Sequence, residues 1–168
     1  LDRANLTLDL RDGRPQIVVT SLVGPRGVGK TALAREVVAE LDGSYDVVWW
    51  VRAADRTTYL ADLADLAERV VPGEGEPDRR LRTWLGATEA RWLLVFDDVP
   101  SWDVVKAALP ETGRGTVLVT AAAGVAMEGN IAEVHPFGAD SATGFLLQRA
   151  SRTDHDGAAE LAAHLGGH

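Results

Sequence analysis

The stretch Ile17-Val18-Val19-Thr20-Ser21-Leu22-Val23-Gly24-Pro25-Arg26-Gly27-Val28-Gly29-Lys30-Thr31 decides the fold. Its first seven residues are a β-branched, apolar run of the kind that forms a buried strand. The next eight, Gly24 to Thr31, satisfy G-x-x-x-x-G-K-[ST] at every position. Glycines at that spacing let the backbone curl so that successive N–H groups point inward. A helix beginning near Lys30 adds the positive end of its dipole. After Thr31, Leu33, Val37, Val38 and Leu41 recur at helical spacing, and Asp42-Gly43 closes the segment. Strand, glycine loop and helix together make a nest for phosphates. Gly24, Pro25, Arg26, Gly27, Val28, Gly29, Lys30, Thr31 and Ala32 are its expected contacts. Lys30 is expected to reach the β- and γ-phosphates, and the Thr31 hydroxyl to ligate Mg²⁺. Arg26 reads equally as a solvated loop residue.

Downstream, strands and helices alternate. Residues 46–51 form an apolar second strand, and Tyr59, Leu63, Leu66 and Val70 mark a helix. After the polar loop 72–77, a helix is expected over 78–87, a third strand over 92–96, a short helix over 102–109 and a fourth strand over 116–120. Residues 131–134 supply a fifth strand, and helices follow at 142–150 and 158–165. In such α/β chains the sheet is parallel, the crossovers are right-handed and ligands gather at the carboxyl ends of the strands. Both Gly24 and Asp97 lie at such ends. Residues 5–10 alternate before Asp12-Gly13, which admits an N-terminal hairpin. Residues 1–16 are therefore read as hairpin or linker, and 17–168 as the core of a single domain.

The third strand, Leu93-Leu94-Val95-Phe96, runs into Asp97-Asp98. An apolar strand ending in paired carboxylates beside a phosphate loop is the arrangement called Walker B. Asp97 is the candidate for holding Mg²⁺, which keeps much of its hydration shell and takes only one or two carboxylates. Asp98 would act as general base on the attacking water, or else cap the next turn. Lys30 and Asp98 are thus the expected catalytic pair. Thr120 ends the next strand, where a polar side chain is placed to sense a γ-phosphate. Ala121, Ala122 and Ala123 follow it and offer phosphate nothing.

Composition narrows the alternatives. The 168 residues carry a formal net charge of -8, which repels phosphate backbones and anionic lipids, so direct nucleic-acid or membrane binding is not expected. No cysteine is present, which removes disulfide and thiolate-metal chemistry and suits a cytoplasmic setting. Of 17 basic residues only Lys30 and Lys106 are lysines, a bias suggesting a GC-rich bacterial source. His135, His155, His164 and His168 lack metal-binding spacing. There is no guanine-reading N-K-x-D motif either.

These motifs together resemble the NB-ARC branch of the STAND class of P-loop signalling NTPases. Asp97-Asp98-Val99 with Trp102 is similar to that family's L-D-D-V-W segment. Leu109-Pro110 followed by Gly115-Thr116-Val117-Leu118-Val119-Thr120 is similar to its L-P…G-S-x-I-L-x-T segment. His135-Pro136-Phe137 with the helix to Ala150, and Leu165-Gly166-Gly167, resemble later motifs, so the likeness extends over almost the whole chain. The resemblance implies a three-layer α/β sandwich on a five-stranded, mainly parallel sheet. It also implies an ATP/ADP switch with Mg²⁺, in which exchange of ADP for ATP opens a multidomain protein toward homo-oligomerisation. Flanking regulatory and effector domains are then the expected partners, and the chain a fragment of a larger protein. Ala122 departs from the pattern, because the family places an arginine there. Slow ATP hydrolysis is the leading expectation. A nucleotide-binding interaction or oligomerisation module without catalysis is the alternative, and a small-molecule phosphotransferase ranks last.

Overall fold

A computed structural model describes residues 16–41, 43–151 and 153–166. The expected N-terminal hairpin lies outside the described residues, as do Asp42, Gly167 and His168. Eleven elements follow in order: β1 (Val18–Gly24), α1 (Lys30–Glu40), β2 (Val47–Arg52), α2 (Arg56–Val70), α3 (Pro77–Ala87), β3 (Trp92–Val99), α4 (Trp102–Ala108), β4 (Gly115–Ala122), β5 (Asn130–Glu133), α5 (Ala139–Ala150) and α6 (His155–Leu165).

All five strands are parallel and lie in the order β2-β3-β4-β1-β5. Such a sheet must be covered on both faces, and here two apolar clusters do so. On one face Leu22, Leu93, Val95 and Leu118 meet Ala34 and Val37 of α1 and Leu41 at its C-cap. On the other, Val51, Leu94, Phe96, Val117 and Val119 meet Leu63 and Leu66 of α2, Leu81 and Leu85 of α3 and Val105 of α4. Three layers result, as the sequence pattern implies. The partly buried Trp49 and Trp50 serve opposite faces of β2, each beneath a guanidinium: Arg69 lies 5.1 Å from the Trp49 ring centroid and Arg35 lies 5.6 Å from that of Trp50.

Some boundaries differ from the sequence reading for local reasons. The first turn of α6 starts at His155 because the Asp154 carboxylate accepts from Gly157 N at 3.0 Å. β3 does not stop at Phe96 but continues through Asp97-Asp98 to Val99. Gly115, at the start of β4, lies flat under the buried Trp92 indole, whose Nε1 donates to Leu85 O at 3.1 Å. A Cβ on Gly115 would lie 2.2 Å from the Trp92 ring. The pair α5–α6 contributes to neither cluster and leaves Phe145, Leu161 and Leu165 exposed.

Candidate functional site

The loop from Gly24 to Gly29 leaves β1 at its carboxyl end and turns directly into α1. Gly27 and Gly29 have φ of 78° and 96°, the left-handed region that glycine alone enters without cost. Gly24 is required for a different reason: a Cβ there would lie 2.2 Å from the carbonyl oxygen of Val134, just past β5. The N-cap of α1 is Gly29, which makes no side-chain cap, and the first turn carries no acid. The amides that open this helix are thus free of side-chain caps and carry the positive end of its dipole.

Lys30 is 8 % exposed, and its Nζ donates to Gly24 O at 2.9 Å and Pro25 O at 2.7 Å. Burial lowers its pKa, and the Arg26 charge lowers it further, against the opposing pull of Asp98 and Asp97. The ammonium therefore lies inside the loop, close enough to feel both carboxylates. Arg26 is exposed.

β4 lies between β1 and β3, so the acidic pair reaches the loop across one intervening strand. Asp97 bridges the gap. Its Oδ1 accepts from Thr31 Oγ1 at 2.8 Å and from Thr120 Oγ1 at 2.6 Å. Asp98 is exposed, with φ of 57°, and its amide donates to Thr120 Oγ1 at 2.8 Å. Thr120, expected from the sequence to sense a γ-phosphate, donates its hydroxyl proton to Asp97 in the fold. Ala122 is the register partner of Gly24, and Ala123 N donates to Gly24 O at 3.0 Å, so this small-residue run closes against the root of the loop. Val134, whose carbonyl sets the space at Gly24, is legible in the sequence only as part of the fifth strand, with nothing to mark that contact. Its role depends on a strand pairing more than a hundred residues away in sequence. No His/Cys/Asp/Glu cluster with metal-binding geometry occurs among the described residues.

The donor set suits a phosphate chain with a hard divalent cation. Uncapped amides and an ammonium are groups that could meet anions, and a hydroxyl and a carboxylate 2.8 Å apart are groups that could present oxygen to a cation. The NB-ARC domain profile matches residues 2–135. The chain belongs to the NB-ARC family. Its open, parallel five-stranded sheet with flanking helices is an α/β fold shared with a P-loop ATPase of the STAND class. Among solved structures it is similar to the Signal Transduction ATPase with Numerous Domains protein with a tetratricopeptide repeat sensor from Pyrococcus horikoshii. The TM-score is 0.54 at 16 % identity, over 100 % of this chain and 28 % of that one. The chain thus spans about a quarter of the length of that protein. The family profile ends before α5, so the NB-ARC match comprises the sheet and its covering helices, without the α5–α6 pair.

Proposed function

We propose that this NB-ARC domain binds ATP and ADP with Mg²⁺ and hydrolyses ATP slowly, as the switch element of a larger signalling protein. The observation carrying the proposal is the bond from Thr31 to Asp97, which joins the phosphate loop to the acidic strand through the two groups fitted to hold the cation. Lys30 and the first amides of α1, including that of Ala32, hold the phosphate chain. Gly24 to Gly29 form its cradle, with Val28 packed partly against the α1-side cluster. Thr31 and Asp97 hold Mg²⁺, which when bound neutralises phosphate charge and fixes the phosphate geometry. Asp98, exposed at the rim, orients a water and accepts its proton. General-base assistance of this kind is worth about 10²–10⁴ in rate. The measure is slow because Ala122 stands where an arginine would add a second positive charge.

The same alanine run favours a second reading, a domain that uses nucleotide to order itself and to govern assembly with flanking domains or further copies, without turnover. Single-turnover phosphate release separates the two. Hydrolysis is expected in the wild type and at least tenfold slower in Asp98→Asn, with Mg-ATP affinity by calorimetry within about threefold. Release no faster than ATP in buffer, from protein that binds Mg-ATP, selects the second reading. Among the described residues no helix is long and apolar enough to cross a membrane.

A further inference from the structure

Thr120 is 1 % exposed, on the strand that separates the phosphate loop from the acidic pair. A hydroxyl has one proton to give and lone pairs to receive. Here the proton goes to Asp97 Oδ1 at 2.6 Å, and a lone pair accepts the Asp98 N–H at 2.8 Å. Both bonds fall where β3 leaves its regular register.

Side chains on a strand alternate between faces, so Trp92, Leu94 and Phe96 enter the cluster under α2–α4, while Leu93 and Val95 face α1. Asp97 follows the alternation onto the α1 face, where Thr31 meets it. Val99 breaks it: three residues beyond Phe96, it lies in the same cluster as Phe96. The register accounts for this, since Phe96 pairs with Val119 and Val99 with Ala121, one residue more on β3 than on β4. The extra residue is accommodated at the acidic pair, where Asp98 takes the left-handed φ of 57°. In regular alternation Asp98 would point into the apolar layer, and the bulge instead turns it outward. Asp98 gains its exposed position from a left-handed backbone conformation, which few residues other than glycine, asparagine and aspartate adopt.

We propose that Thr120 is a positioning residue, a clamp whose single hydroxyl holds the β3 bulge and thereby aims Asp98 outward while fixing the Asp97 oxygen that meets Thr31. The proposal rests on the reading of Asp97 and Asp98 given above. Thr120 acts through these two aspartates and does not touch phosphate.

Thr120→Val keeps the side-chain shape and removes both bonds, while Thr120→Ser keeps the hydroxyl. Amide hydrogen exchange in nucleotide-free protein, followed by NMR at Asp98, reads the clamp without any chemistry. Protection is expected in the wild type and Thr120→Ser, with exchange at least tenfold faster in Thr120→Val and amides of the β1–β4 ladder unchanged. Phosphate release should fall at least tenfold in Thr120→Val, with ADP affinity within about threefold, and Thr120→Ser should restore it. A wild-type Asp98 amide that exchanges freely overturns the clamp. So does a Thr120→Val protein that keeps Asp98 protected and loses affinity for ATP but not ADP, since that pattern marks direct contact with the γ-phosphate. Loss of protection in Thr120→Val with no hydrolysis in any variant upholds the clamp and refutes the hydrolytic role given to Asp98.

Discussion

Replacing Lys30 by methionine separates what the lysine does for a ligand from what it does for the fold. Its ammonium makes two hydrogen bonds to the loop, to Gly24 O and Pro25 O. Each charge-assisted bond would ordinarily stabilise by about 1.5–3 kcal/mol. Burial of the charge opposes that gain and holds the Lys30 pKa below its ordinary value, against the pull of Asp98 and Asp97. Methionine also leaves neither carbonyl stranded: Gly24 O keeps the Ala123 amide, and Pro25 is exposed to water. The variant should therefore unfold within about 1 kcal/mol of wild type at pH 7. The sign with pH is definite. Between its lowered folded pKa and the unfolded value near 10.4, the unfolded chain binds more protons at Lys30 than the native one. Stability of the wild type relative to Lys30→Met must then rise as the pH climbs through that interval. Nucleotide binding behaves oppositely, because an ammonium shared by two phosphates contributes about 3–4 kcal/mol, or roughly 10²–10³ in Kd. Calorimetric titration with Mg-ATP and urea melts read the two quantities on one preparation. A variant that binds within tenfold of wild type, or that unfolds more than about 2 kcal/mol below it, would refute the assignment of Lys30 to a ligand.

Two further substitutions test the frame around the site. Gly115→Ala drives a methyl into the buried Trp92 ring, an overpacking worth about 3 kcal/mol and a loss of roughly 6–12 °C in Tm. Adding Trp92→Leu should return part of that loss, and a single variant melting within 2 °C of wild type contradicts the packing described. Asp62→Asn tests the edge at β2, where the Asp62 carboxylate takes Arg52 Nη2, Nε and N at 2.7, 3.0 and 2.9 Å. The Arg52 hydrogen bonds hold its pKa below the usual carboxylate value. The wild type should melt above the variant at pH 7, and the gap should close as the pH drops below about 3.9 through the lowered pKa. A gap constant down to pH 2 excludes the ion pair as its source.

What was legible in the sequence was local. The run from Ile17 to Leu41 carries strand, loop and helix within one contiguous pattern, so Gly27, Gly29, Lys30 and Thr31 could be placed from spacing alone. The strand before Asp97-Asp98 was equally plain, because five apolar residues in a row need two covered faces. Non-local features were hidden. Nothing in Gly24 announces the carbonyl of Val134, and nothing in Gly115 announces Trp92, since each depends on which strands become neighbours. The bulge at Asp97-Asp98 is of the same kind, being fixed by a hydroxyl on β4 twenty-two residues further on. The helices α5 and α6 begin three residues before their apolar periodicity does, with Asp140, Ser141 and Asp156 filling first turns that bury little.

The sheet order has a consequence for how the protein is made. β1 emerges before the other strands of the described sheet, yet its two neighbours are β4, starting at Gly115, and β5, starting at Asn130. During synthesis the glycine loop hangs from a strand with no partner on either side until about a hundred more residues have left the ribosome. Closing so long a loop is entropically costly, and pairings of this range form slowly. Any ligand that grips only the finished loop would therefore act as a late fastener, drawing the first strand and the last two together and favouring the completed sheet by mass action.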